Sequence, residues 1–121
     1  MRRFLKSFRF AFNGLLYLFK SQPNARIHLL AALAVLAAGA FLKINLSDWA
    51  WLVVAIAMVL CAEAFNTSVE LLADRITTEH DAQIGRAKDV AAAGVLIACT
   101  GAFGIGIVIL TPHLLAISRH G

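Results

Sequence analysis

Between Val90 and Pro112 the chain runs for 23 residues without a charged side chain, in a sequence of only 121. A helix of about 20 residues covers the roughly 30 Å of a bilayer's hydrocarbon core. Inside lipid every backbone polar group must be satisfied internally, so an apolar run of this length is a spanning helix. Two other runs approach the same length. Ile27 to Leu46 is interrupted by His28, Lys43 and Asn45, and Trp49 to Ala73 by acidic residues on one face. A hydrophobic content of 60% and a mean hydropathy of +0.79 are too high for an ordinary soluble fold. The sequence therefore predicts a single all-α integral membrane domain over 1–121. Its parts are an interfacial helix at 1–22 and transmembrane helices at 27–46, 49–73 and 88–112.

Charge placement orients those spans. Of eleven Lys and Arg, six precede Ile27 (Arg2, Arg3, Lys6, Arg9, Lys20, Arg26) and three lie between spans two and three (Arg75, Arg86, Lys88). Only Lys43 and Arg119 fall on the other side. Such a bias places the N-terminus and the 74–89 loop in the cytoplasm. Anionic lipid accounts for the net charge of +4, so no nucleic-acid partner is expected.

The first 22 residues are neither signal peptide nor span, because Lys6, Arg9 and Lys20 break any apolar core. At about 100° per residue, Arg2, Arg3, Lys6, Arg9, Asn13 and Lys20 share one arc, with Phe4, Leu5, Phe8, Phe12, Leu15 and Phe19 opposite. Phe10 is the exception. This pattern is an amphipathic helix lying in the interface, its basic face towards headgroups or a nucleotide. Pro23 ends it. His28, near the start of the first span, is either a ligand or switch or an ordinary interfacial residue. Asn45-Leu-Ser47-Asp48 reads as a tight external turn with an N-cap, followed by Trp49 and Trp51 at the membrane surface. Cys61 and Cys99 lie within spans as small hydrophobes.

Glu63, Asn66, Glu70 and Asp74 are spaced by three, four and four, which puts them on one helix face. Eleven residues separate Glu63 from Asp74, roughly 16 Å along a helix axis. With Asp74 at the surface, Glu63 lies well inside the slab. There a charge costs about 2.5–3.5 kcal/mol on insertion scales, so an inward acidic stripe marks function unless it serves only to pair helices. Carboxylates are hard oxygen ligands of the kind that hold Mg²⁺ beside phosphate groups. Arg86, Lys88 and the basic N-terminal face are placed to balance phosphate charge, and a deep carboxylate suits a general base. There is no GxxxxGK[ST] loop and no protein-kinase signature. On spacing alone, phosphoryl transfer and a cation or proton pathway both remain open.

The stretch Glu63-x-x-Asn66-x-x-x-Glu70-x-x-x-Asp74, then Glu79 and Gly85-Arg86-Ala87-Lys88-Asp89, resembles the signature of the small prokaryotic diacylglycerol kinase and undecaprenol kinase family. The order of basic helix, three spans and crossing motif agrees along nearly the whole chain. The resemblance implies a homotrimer with active sites shared between protomers, transferring the γ-phosphate of MgATP to a membrane-lipid hydroxyl. By position it implies Glu63 as general base and Glu70 as the metal and nucleotide carboxylate, with Asn66, Asp74 and Arg86 in support. Arg3, Glu79, His80, Asp81, Lys88 and Asp89 match nucleotide contacts. Two departures stand out. Gln22 occupies the place of a second metal carboxylate, offering an oxygen without charge, and Asp81 stands where the family often has His, with His80 displaced by one. Asn24-Ala-Arg26-Ile-His28 resembles the undecaprenol branch more than the diacylglycerol branch, which favours undecaprenol over diacylglycerol as acceptor.

Overall fold

The computed structural model describes residues 1–121, folded as four helices: α1 Arg2–Ser21, α2 Pro23–Leu42, α3 Leu46–Ile76 and α4 Ala82–His120. The all-helical reading holds, and α2, α3 and α4 are each long and apolar enough to cross a membrane. Gln22 alone separates α1 from α2. Its extended backbone (φ −112°, ψ 107°) is the conformation that a following proline enforces, and Pro23 takes the first helical position, where its missing N–H had no partner to lose. On α1 the aromatic face is left largely uncovered by the rest of the chain, with Phe4, Leu5, Phe8, Phe12 and Leu15 exposed. Phe4 and Phe8 stack edge-on at 4.9 Å and stay exposed, as expected of a helix lying in an interface.

The turn from α2 to α3 is built on one left-handed residue, Lys43 (φ 53°, ψ 49°). The Lys43 N–H bonds the Ala40 carbonyl and the Ile44 N–H bonds the Gly39 carbonyl, a Schellman closure of the helix. Ile44 folds back over Gly39 together with Trp49. The first apolar helix therefore sits four residues earlier than the expected 27–46 at the same length: α2 runs from Pro23 to Leu42, and Leu46 opens α3. The Asn45 side chain caps α3 by accepting from the Asp48 N–H at 2.9 Å. Gly39 is required here, because a Cβ would lie 3.0 Å from a Trp49 ring carbon and 3.1 Å from Ile44 Cδ1. Gly39→Ala should destabilise the protein by about 1–3 kcal/mol through overpacking, read as a lower thermal midpoint in detergent. An unchanged midpoint would mean that the indole swings aside freely.

The third span was expected to end at Pro112, yet α4 continues to His120. Proline removes one backbone donor, and helices in lipid tolerate this where other groups compensate. Beside the break, His113 Nδ1 lies 2.9 Å from the Ile109 carbonyl. At 1.5 Å per residue, α3 and α4 are roughly 46 and 58 Å long, so this antiparallel pair outruns the hydrocarbon core. Its core is small: Ile44, Leu52 and Ile109, packed by Val35, Trp49 and Ile105. Most apolar side chains of the spans point outward, towards lipid or another chain.

Candidate active site

The acidic face of α3 turns inward at Glu63, whose side chain is 5% exposed. Its Oε1 lies 3.1 Å from Nε2 of His28 on α2. From α4, Cys99 Sγ approaches the same nitrogen at 3.7 Å. Three helices thus converge on one imidazole within the membrane-spanning part. The thiol also lies 4.0 Å from Nδ1, so it sits over the edge of the ring between the two nitrogens, nearer the one that faces Glu63. His28 and Cys99 also line an apolar cavity of about 500 Å³ between α2, α3 and α4, reaching Leu60, Phe103 and Leu114.

One turn further along α3, Asn66 Nδ2 donates to Glu70 Oε1 at 3.3 Å. Asn66 Oδ1 and Thr67 Oγ1 are buried without any partner. A buried polar atom left unpaired costs about 1–3 kcal/mol, and such atoms gather where a ligand or ion completes the structure. Between the carboxylates of Glu63 and Glu70, two oxygens await a partner.

At the end of α3, Lys88 Nζ pairs with Asp74 Oδ1, tying α3 to the start of α4. Both groups are well exposed, so screening leaves the pair little weight in stability. The 77–81 loop is held by its own side chains. Thr77 Oγ1 accepts from the Glu79 N–H at 3.1 Å, and Asp81 Oδ1 accepts from the N–H groups of Gln83 and Ile84 at 2.9 Å each, capping α4. Asp81 therefore has a structural duty that the sequence reading did not assign. Asp81→Ala should cost about 1 kcal/mol of stability, measured by thermal unfolding, and an unchanged midpoint would show the cap to be dispensable. A second, more polar cavity of about 480 Å³ lies over this loop, lined by Thr77, Glu79, His80, Asp81 and Gln83.

The fold brings together Glu63 with His28, Asn66 with Glu70, and Asp74 with Lys88. It does not join Arg3 or Gln22 to the acidic face by any ion pair or side-chain hydrogen bond. Arg3, Glu79, His80, Arg86 and Asp89 are exposed. A divalent cation would find Glu70 and the unpartnered Asn66 oxygen as hard donors on adjoining turns. No group of three or more His, Cys, Asp or Glu is placed to hold a metal ion by itself.

Sequence reasoning left His28 undecided, and missed Cys99 and Thr67. A usable signal exists for His28: it lies fourteen residues before the end of α2, and Glu63 lies seventeen after the start of α3. Across a tight antiparallel turn, those counts set both side chains at about the same depth.

Residues 9–110 match the family model described as prokaryotic diacylglycerol kinase. A diacylglycerol kinase of Synechocystis sp. is 34% identical over 93% of this chain, which spans 65% of that relative's length. An undecaprenol kinase of Bacillus subtilis is 32% identical, covering 94% of this chain and 93% of the relative. A diacylglycerol kinase of Escherichia coli is 27% identical over 92% of this chain and 91% of its own length. With three membrane-crossing helices and a family match over most of its length, the chain belongs to the prokaryotic diacylglycerol kinase family of membrane lipid kinases.

Proposed function

We propose that the protein transfers the γ-phosphate of MgATP to the hydroxyl of a membrane lipid, with undecaprenol the favoured acceptor and diacylglycerol the alternative. The observation that carries this reading is Glu63, a buried carboxylate 3.1 Å from His28, whose ring in turn lines an apolar cavity. In this reading the acceptor's hydrocarbon lies along that cavity and its hydroxyl reaches Glu63, which takes the proton as the hydroxyl oxygen attacks phosphorus. Glu70, with Asn66 beside it, holds the metal–nucleotide, and Gln22 is available as an uncharged oxygen donor. Mg²⁺, when bound, neutralises charge on the phosphates. Lys88, held near the site by Asp74, and Asp89 contact the nucleotide after the loop, as do Arg3 and the loop residues Glu79, His80 and Asp81. Phosphoryl transfer depends mainly on such positioning and electrostatics.

The active site faces the cytoplasm, and the protein works as a homotrimer. The outward apolar flanks of the spans support this assembly, as does the separation of Arg3 and Gln22 from the acidic face within one chain. Acceptor preference rests on the Asn24-to-His28 pattern; apolar cavities discriminate hydrocarbon chains poorly. The test is transfer from γ-labelled ATP in mixed micelles, with undecaprenol and diacylglycerol offered separately. Undecaprenol labelled faster supports the favoured acceptor. Faster labelling of diacylglycerol reverses the preference, and no label in either, with folded protein and Mg²⁺ present, removes the kinase reading.

A further inference from the structure

We propose that His28 is a positioning residue for the reaction: its ring, with Nε2 3.1 Å from Oε1 of Glu63, steadies the carboxylate so that Oε2 faces the acceptor hydroxyl. The inference rests on the lipid-kinase reading and adds to it a residue on another helix. Three observations carry it. The 3.1 Å contact is the only polar contact that the buried Glu63 side chain makes with the protein. The buried side-chain atoms without partners are Asn66 Oδ1 and Thr67 Oγ1, so the Glu63 carboxylate, which makes no hydrogen bond, keeps some accessible surface. The imidazole stands against Oε1, and Oε2 forms no ion pair. Finally, His28 itself lines the apolar cavity, so the same ring meets both the carboxylate and the space in which a lipid chain would lie.

A glutamate side chain rotates about three bonds, and a base that wanders by an ångström loses most of its advantage. The step balances without any change at His28. The acceptor O–H bond breaks and its proton passes to Oε2 of Glu63. The oxygen's electron pair forms the new bond to the γ-phosphorus, and the bond to the bridging oxygen breaks, its electrons leaving with ADP. Throughout, His28 neither gains nor loses a proton, and its ring stays against Oε1. The other groups facing the ring are Glu63 from α3 and the Cys99 thiol from α4.

The experiment measures kcat for lipid phosphorylation and KM for MgATP in His28→Ala and His28→Gln, each alone and combined with Glu63→Asp. His28→Ala should lower kcat by about 10–100-fold with KM for MgATP unchanged, as expected when a reacting group loses its orientation. His28→Gln, whose amide can donate, should recover at least about tenfold of that loss. In Glu63→Asp, whose shorter side chain withdraws from the ring, either His28 change should cost less than about threefold, since residues acting as a unit are not additive. Equal losses in both backgrounds, or equal losses for Ala and Gln, would make His28 a packing residue and overturn the proposal. If His28→Ala fails to assemble, the Gln variant in the two backgrounds decides by the same comparison. Full activity in His28→Ala overturns this inference alone, whereas a wild-type protein that labels no lipid overturns the kinase reading and this inference with it.

Discussion

Glu63→Gln should lower phosphate transfer to lipid by about 10³-fold, within the range that a positioned general base contributes. The amide has nearly the same shape as the carboxylate and fits beside the His28 ring, so helix content and assembly should survive. Thermal stability should stay level or rise, because the variant takes an ionisable group out of the membrane-spanning part of α3. That combination, chemistry lost and fold kept, separates a catalytic carboxylate from one retained for helix pairing. Labelled lipid from γ-labelled ATP measures the first half, and circular dichroism on heating the second. Turnover within tenfold of wild type would remove Glu63 as the base.

Glu70→Ala should be nearly as damaging for a different reason. Losing one preorganised charged contact to a transferring phosphoryl group costs about 10²–10³-fold in rate. Asn66 would also lose the acceptor for its Nδ2, leaving both ends of a part-buried amide unsatisfied. The signature to look for is the metal dependence: the Mg²⁺ concentration for half-maximal rate should rise severalfold in Glu70→Ala and far less in Glu63→Gln. An unaltered Mg²⁺ profile with full turnover would move the metal away from Glu70.

The spans were legible because lipid leaves the backbone so few options, and the acidic face because a helix repeats every 3.6 residues whatever surrounds it. The short turn was not. Phe41-Leu42-Lys43 contains no glycine, and only the folded-back Ile44 and Trp49 show why a lysine is held in the left-handed region at a cost of about 1–2 kcal/mol. Pro112 reads as a stop in water, where a broken helix is readily solvated, but not in a helix held by apolar surroundings. The partnership of His28 and Glu63 joins residues 35 apart in sequence and depends on the depth of one helix against another, which periodicity within a single segment does not carry. Asp81 was legible as a polar residue beside a candidate nucleotide site, while its cap appears only once the start of α4 is known.

The Lys43 turn sets a gauge. His28 and Glu63 meet because each is counted off along a rigid helix from the same three residues on the far side of the bilayer. One residue inserted between His28 and Lys43 would displace the imidazole by about 1.5 Å and 100° relative to the carboxylate, with nothing altered near either side chain. The turn between α2 and α3, remote from both side chains, is in this sense a vernier for the contact between them.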